Sequence, residues 1–133
     1  MSHFVTLKTK FVSAEFLQLA LADVRARFGL GELRFNDFIH GYGNNRIRGD
    51  LVLATRNAAY DVGFLKEGDT YDLKADPYGI RDFKLDQLGD ALKQRYAYHS
   101  LRRQLEQVHG FSLVEEGVKE DQTIRLFLRR ISV

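Results

Sequence analysis

Several residue types that carry chemistry are missing from this chain of 133 residues, and their absence narrows its function. It contains no cysteine, no tryptophan and a single proline, Pro77. Without cysteine, a disulfide framework, a thiolate nucleophile and a thiolate metal site are excluded. No stretch approaches the roughly 18 apolar residues of a membrane span, and the first residues lack the cationic and apolar pattern of a signal peptide. We therefore expect a soluble cytoplasmic protein that does not bind a membrane.

The composition favours one globular domain with little net charge. Apolar residues make up 44% of the chain, which is enough for a core at this length, so residues 1–133 are predicted to form a single domain. The formal net charge of +2 is too small to indicate a nucleic-acid partner. The charge is uneven, because residues 61–80 contain five acidic and two basic side chains. This tyrosine-rich segment is predicted to be an acidic hairpin.

The spacing of apolar residues predicts an α+β fold with the order β-α-β-β-β-β-α-β-β. Period-two alternation indicates a strand at residues 3–12, and helical spacing after Ser13 indicates a helix that ends at Gly29. The remaining predicted elements are strands at 33–42, 47–56, 59–66 and 69–76, a helix at 84–109, and a closing hairpin of strands at 111–118 and 123–133. Short turns join the strands, which favours a single, mainly antiparallel sheet with both helices on one face.

The long helix changes its apolar face midway. At about 100° per residue, Leu85, Leu88 and Leu92 lie on one side of it. A second apolar group lies nearly opposite, in the C-terminal half, and consists of Tyr98, Leu101, Leu105 and Val108. Such a group needs a second surface to cover it. These four residues are therefore predicted to form an interface with a partner protein or with a second copy of the chain.

Two groups of side chains are candidate binding sites. The first shares one face of the long helix, suits an anionic group, and consists of Arg95, Tyr96, His99 and Arg103. The second lies in and beside the acidic hairpin and consists of Tyr60, Asp61, Tyr71, Asp76 and Tyr78. Packing within the fold is the competing interpretation of both groups. The histidines have no spacing typical of a metal site, and no phosphate loop or nucleophile motif is present, so neither a metal nor a cofactor is predicted.

Residues spread over the whole chain carry a resemblance to a known family. The matching positions include Ser2-His3-Phe4, Gly41-Tyr42, Tyr60-Asp61-Val62-Gly63-Phe64, Gln94-Arg95-Tyr96-Ala97-Tyr98-His99 and Ile124 to Arg130. In these positions the chain resembles an uncharacterised conserved family, a domain of unknown function, of cyanobacteria and red-algal plastid genomes. That family has no assigned catalytic or ligand residues, so the resemblance implies no particular activity. A plastid-encoded member is expected in the stroma.

Three hypotheses about function follow. The favoured one is a small non-enzymatic accessory or adaptor protein that acts through protein–protein contacts. The alternative is a nucleic-acid-binding module whose affinity would fall steeply with salt. It would use an arginine patch that consists of Arg46, Arg48, Arg95, Arg102 and Arg103. The third is an enzyme in which His99 acts as general acid or base together with a carboxylate such as Asp61 or Asp76.

Overall fold

The computed structural model describes residues 3–107 with their side chains, and residues 108, 111–118 and 124–130 as backbone. The elements are β1 (Val5–Leu7), α1 (Ala14–Phe28), β2 (Arg34–His40), β3 (Arg46–Ala54), β4 (Asp61–Glu67), β5 (Thr70–Ala75), a short 3-10 helix (Pro77–Gly79), α2 (Leu85–Val108), β6 (Phe111–Val118) and β7 (Ile124–Arg130). The predicted α+β class and the predicted order of strands and long helices are confirmed. β1 is shorter than predicted, because the Thr9 N–H donates to the Asp72 side chain instead of extending a strand ladder.

Local signals in the sequence set both ends of α1. The Ser13 hydroxyl accepts a hydrogen bond from the Phe16 N–H at 3.2 Å and so caps the first turn. At the other end Gly29 has a φ of 64°, the left-handed conformation that glycine adopts most easily at a helix C-terminus. Between these caps every apolar residue at helical spacing from Leu17 to Phe28 is buried. Within the described residues, neither long helix is long and apolar enough to cross a membrane.

Five strands form one antiparallel sheet in the spatial order β1-β5-β4-β3-β2. Cross-strand pairs such as Leu53 with Val62 place apolar side chains on one face of this sheet. Both helices cover that face, and their apolar residues join those of the strands in one core. The part of α2 in this core includes Leu85, Leu88 and Leu92, which is the first of the two apolar faces predicted from the sequence.

The end of β2 covers part of the opposite face of the sheet. Asn36 has a positive φ of 51°, which interrupts the regular course of the strand. Ile39 follows, and it is fully buried although it lies apart from the helix-side core. Its side chain packs against Gly63 of β4, where an added Cβ would lie 2.5 Å from Ile39 Cγ1. The absence of a side chain at residue 63 therefore allows β2 to lie over β4.

The predicted closing hairpin is present as a separate ladder. β6 and β7 pair antiparallel in a two-stranded sheet, with an irregularity between Leu113 and Glu115. The expected single sheet thus corresponds to β1–β5. Each strand of the hairpin pairs with the other along one edge.

Candidate functional site

The predicted basic face of α2 meets an acidic side chain of α1. Asp23 Oδ2 accepts a hydrogen bond from Arg95 Nε at 2.8 Å and lies 2.6 Å from His99 Nε2. Partial burial opposes ionisation of Asp23, but the hydrogen bonds from Arg95 and His99 outweigh it, and the pKa of this carboxyl is lowered. The carboxylate beside His99 is therefore Asp23, whereas Asp61 and Asp76, the examples named in the enzyme hypothesis, bind other groups.

Tyr96 and Arg103 extend the same contact between the two helices. The Tyr96 hydroxyl accepts hydrogen bonds from the main-chain N–H groups of residues 12–13, at 3.1 and 2.8 Å, where the chain enters α1. Arg103 donates to Glu15, and this hydrogen bond lowers the pKa of the Glu15 carboxyl. The four predicted residues thus lie together, but in the seam between α1 and α2, where Asp23 and Glu15 balance their positive charge.

The predicted interface on the other side of α2 is partly covered. Tyr98 is only 7% exposed, and the Arg95 guanidinium lies 4.2 Å from the centre of its ring. Leu101 is 40% exposed, whereas Leu105 is half-buried. The side chain of Val108 lies outside the described residues. Of the three described side chains, Leu101 offers the most apolar surface to a partner.

Three buried aspartates support the strands β4 and β5, and each accepts a main-chain N–H. Asp72 accepts the Thr9 N–H at 3.1 Å and the Lys8 ammonium at 3.1 Å. Burial opposes ionisation of Asp72, but these hydrogen bonds outweigh it, and its pKa is lowered. This buried carboxylate fixes the segment that follows β1 against β5.

Asp61 holds the end of β2 over the sheet. Its Oδ2 accepts the main-chain N–H of His40 at 2.8 Å and lies 2.7 Å from His40 Nδ1. A guanidinium nitrogen of Arg34 lies 3.4 Å from its other oxygen. Because β4 and β5 pair Val62 with Ala75, the continued register places Asp61 opposite Asp76. The sheet thus presents two neighbouring carboxylates to the segment that leaves β2.

Asp76 fixes the main chain of two tyrosines. Its Oδ2 accepts the Tyr42 N–H at 2.8 Å, and its Oδ1 accepts the Tyr78 N–H at 3.0 Å, which caps the 3-10 helix. Gly41 lies so close that an added Cβ would be 2.8 Å from Asp76 Cβ and 2.9 Å from Phe4 Cζ. The positions of both tyrosines are therefore set by one buried carboxylate.

Three rings, those of His3, Tyr42 and Tyr78, form a cluster that we name the aromatic corner. The centroid distances are 5.0 Å between the two tyrosines, 5.1 Å from His3 to Tyr78 and 5.4 Å from His3 to Tyr42. Tyr42 is 45% exposed and Tyr78 is 63% exposed. Behind them, burial raises the pKa of the Tyr60 phenol, and the nearby Asp76 carboxylate adds to this effect. The corner presents a mainly aromatic surface to solvent.

The structure groups most of the residues predicted around the acidic hairpin. Four of the five predicted residues lie in the aromatic corner or directly beneath it, and these are Tyr60, Asp61, Asp76 and Tyr78. Tyr71 lies apart from them, because its ring packs against the helix-side core and its N–H donates to Phe11. The sequence reasoning missed His3, His40 and Tyr42 as members of the site. His3 and Tyr42 belong to the segments that carry the family resemblance, but no spacing in the sequence indicates that they meet Tyr78.

The fold and its contacts define a small α+β protein whose buried carboxylates hold an exposed aromatic corner. Residues 26–127 match the family described as "Protein of unknown function (DUF1257)", and the chain belongs to this family, which confirms the predicted resemblance. It is 30% identical over 131 residues to the "Uncharacterized protein ycf35" of Guillardia theta, and the match covers 98% of both chains. The "Uncharacterized protein ycf35" of Cyanophora paradoxa has the same identity and coverage. No solved structure matches the chain significantly.

Proposed function

We propose that this protein is a non-enzymatic accessory protein that docks onto a partner protein through the aromatic corner, in the cytoplasm or, where it is plastid-encoded, in the stroma. The observation that carries the proposal is the exposure of Tyr42 and Tyr78 on a main chain that is fixed from behind by Asp76. Among the described residues, neither tyrosine hydroxyl has a hydrogen-bond partner. Tyrosine is enriched among the residues that contribute most to protein interfaces.

The exposed tyrosine rings would contribute favourable free energy to a contact that covers them. Covering the exposed part of each tyrosine ring would contribute about 2 to 3 kcal/mol, at roughly 25 cal/mol per Å² of apolar surface. The rings already pack against each other and against His3, so little side-chain freedom remains to be lost when a partner binds. A preorganised aromatic surface of this kind can anchor an interface.

The contacts of the charged residues support this proposal over the enzyme hypothesis. His99 is 14% exposed and lies against Asp23 between the helices. Asp61 and Asp76 accept main-chain N–H groups and so hold strand β2 and the aromatic corner. These polar side chains therefore already have structural partners, whereas Tyr42 and Tyr78 contact their neighbours in the corner and still leave about half of their surface exposed.

The arginines named in the nucleic-acid hypothesis also have partners within the protein. On α2, Arg95 binds Asp23 and Arg102 binds Glu106, so these cations are balanced locally. On β3, Arg46 and Arg48 lie over the ring of Phe38, with Arg46 at 4.2 Å from its centre. These contacts favour a protein partner over a nucleic acid. We retain the outer side of α2, with Leu101 at its centre, as a second proposed contact surface.

The test is to purify the tagged full chain from its native host after nuclease treatment and to quantify bound proteins by mass spectrometry. The variant Tyr42→Ser/Tyr78→Ser removes both exposed rings but keeps the main-chain N–H groups that Asp76 binds. Phe35→Ser is the matched control, because Phe35 is also an exposed aromatic residue, at 56%, but lies outside the corner. Leu101→Glu probes the outer side of α2 separately.

We expect a stoichiometric partner that is retained by Phe35→Ser and reduced at least tenfold by the double tyrosine variant. Urea unfolding of each variant checks that the fold is intact. Equal retention by the folded double variant, or the absence of any stoichiometric protein from the nuclease-treated wild type, would contradict docking through the corner.

A further inference from the structure

A groove lies between the edge of the sheet and α2. One wall is the segment from Leu7 to Phe11 with Leu73 of β5 behind it, and the other wall is α2 from Asp86 to Ala97. Its volume is about 370 Å³, and its lining is mainly apolar. This size falls within the range of sites that bind ligands.

Gly89 keeps the groove open, and nothing in the described structure requires glycine there. It lies in the interior of α2, where glycine destabilises a helix relative to alanine. A Cβ at this position would meet a single atom within 4 Å, Leu7 Cδ1 at 3.9 Å, which is an ordinary contact. Its φ is not in the left-handed region. A larger side chain here would fill the groove, so the glycine leaves space that a ligand can occupy.

The strand side of the groove has main-chain groups in position to pair with another strand. β1 is the edge of the five-stranded sheet, and residues 8–11 continue along β5 from it. The N–H of Thr9 is directed inward, to Asp72. In the part of the chain that the structure describes, no hydrogen bond involves the N–H of Lys8 or of Lys10. Alternate inward and unpaired N–H groups are typical of an edge that can accept a strand.

The two ends of the groove carry opposite charges. Leu7 lies beside Gly89 and the residues after Phe11 lie beside Tyr96, so the strand segment and α2 run the same way. Acidic side chains, Asp86 and Asp90, therefore lie at the Leu7 end, and basic side chains, Lys10 and Lys93, lie toward the Phe11 end. No group in residues 3–107 binds the ammonium groups of Lys10 and Lys93. A ligand with one acidic end would satisfy them.

We propose that this groove binds an extended peptide segment of a partner protein, which pairs with the edge at residues 7–11 and inserts apolar side chains over Gly89. The edge is five residues long, so the segment has about five paired residues. Every second side chain faces the groove and is apolar, and an acidic residue lies at the end next to Lys10 and Lys93. This site rests on the proposed function in taking a protein as partner, but it is a surface separate from the aromatic corner.

The test uses a library of acetylated heptapeptides on the immobilised full chain. The library has the form Lys-Φ-Thr-Φ-Thr-Φ-Glu, with valine, leucine or phenylalanine at Φ, together with the reversed sequences, and retained peptides are identified by mass spectrometry. Gly89→Leu fills the groove. Ala22→Leu is the matched control, because it adds the same side chain at an exposed position of α1 that does not line the groove. Lys10→Glu/Lys93→Glu changes the charge at one end and leaves the groove open.

We expect Gly89→Leu to lower the affinity for the best peptides at least tenfold. The lysine double variant should lower the affinity for peptides with glutamate at the Lys10 and Lys93 end at least fivefold. Ala22→Leu should change the affinity less than twofold. In ¹H–¹⁵N spectra, the amide resonances of Lys8 and Lys10 should move downfield on binding. The same peptides with N-methylated backbones should bind at least tenfold more weakly.

Three results would overturn the proposal. The first is that no library peptide is retained by the wild type, and the second is that the lysine double variant and Gly89→Leu both retain peptides as the wild type does. The third is that N-methylated peptides bind equally well, which would indicate a site for apolar groups without strand pairing. Because the corner variants leave the groove unchanged, failure of either surface can be recognised separately.

Discussion

The contact between Gly63 and Ile39 provides a direct test of how β2 lies on the sheet. Adding a methyl group in Gly63→Ala would place Cβ 2.5 Å from Ile39 Cγ1 and 3.0 Å from the Leu51 carbonyl oxygen. Neither neighbour can move easily, because Ile39 is fully buried and Leu51 O belongs to the main chain of β3. We expect Gly63→Ala to lower the free energy of unfolding by about 2 kcal/mol, as is typical of overpacking.

Removal of the isoleucine side chain should relieve this overpacking. Ile39→Ala alone should cost about 3 kcal/mol, because it leaves a cavity. In the double variant the new methyl group at residue 63 occupies part of that cavity, so the expected loss is about 3.5 kcal/mol rather than the sum of about 5 kcal/mol. The coupling of roughly 1.5 kcal/mol is within the range seen for residues in contact.

Urea unfolding followed by circular dichroism measures the free energy of unfolding of the wild type, the two single variants and the double variant. The four curves are fitted with one common dependence on urea concentration. Gly89→Ala is a control for the effect of adding a methyl group at a glycine with free space, and it should raise the free energy of unfolding by about 0.5 to 1 kcal/mol. If the loss in free energy of unfolding of the double variant equals the sum of the two single losses within about 0.5 kcal/mol, residues 39 and 63 are not in contact. The placement of β2 over β4 would then be wrong.

Two further predictions concern the polar contacts of the fold. Asp72→Asn should lower the free energy of unfolding at pH 7 by about 3 kcal/mol, because it weakens the contacts with Lys8 and Thr9 inside the protein. The pKa of Asp72 is lowered in the folded state, so its contribution is complete above the unfolded pKa of about 4 and is lost as the pH falls through the folded pKa. Urea midpoints measured from about pH 5 to about pH 2 should therefore fall less steeply for Asp72→Asn than for the wild type, and parallel curves would refute this account. Tyr96→Phe should cost about 1 to 2 kcal/mol in the same assay at pH 7, because two main-chain N–H groups before α1 lose their acceptor, and a neutral effect would show that water replaces the hydroxyl.

The sequence predicted those parts of the fold that depend on neighbouring residues. The caps of α1 at Ser13 and Gly29 and the antiparallel hairpins follow from local spacing, and the structure confirms them. The face of α2 that carries Leu88 and Leu92 was also predicted, because helical period alone places these residues together.

The remaining contacts could not be predicted, because they join residues far apart in the chain. Asp23 and His99 are separated by 76 positions, and no periodic pattern connects them. The same holds for the contact of Asp76 with Tyr42, which depends on the kink at Asn36 and on the small size of Gly63. The basic face of α2 was predicted to be a candidate binding site, because its acidic partners Asp23 and Glu15 lie on α1, far from α2 in the sequence.

The two carboxylates beneath the aromatic corner, Asp61 and Asp76, bind main-chain N–H groups, and this affects which side chains the corner can carry. A loop that is held by hydrogen bonds to its main chain keeps its conformation when its side chains are substituted. Positions 42 and 78 can therefore accept different residues while Asp76 continues to hold them in the same place. These two positions, with exposed Asn44 in the adjoining turn, are also suitable for a randomised library of binders on an unchanged scaffold.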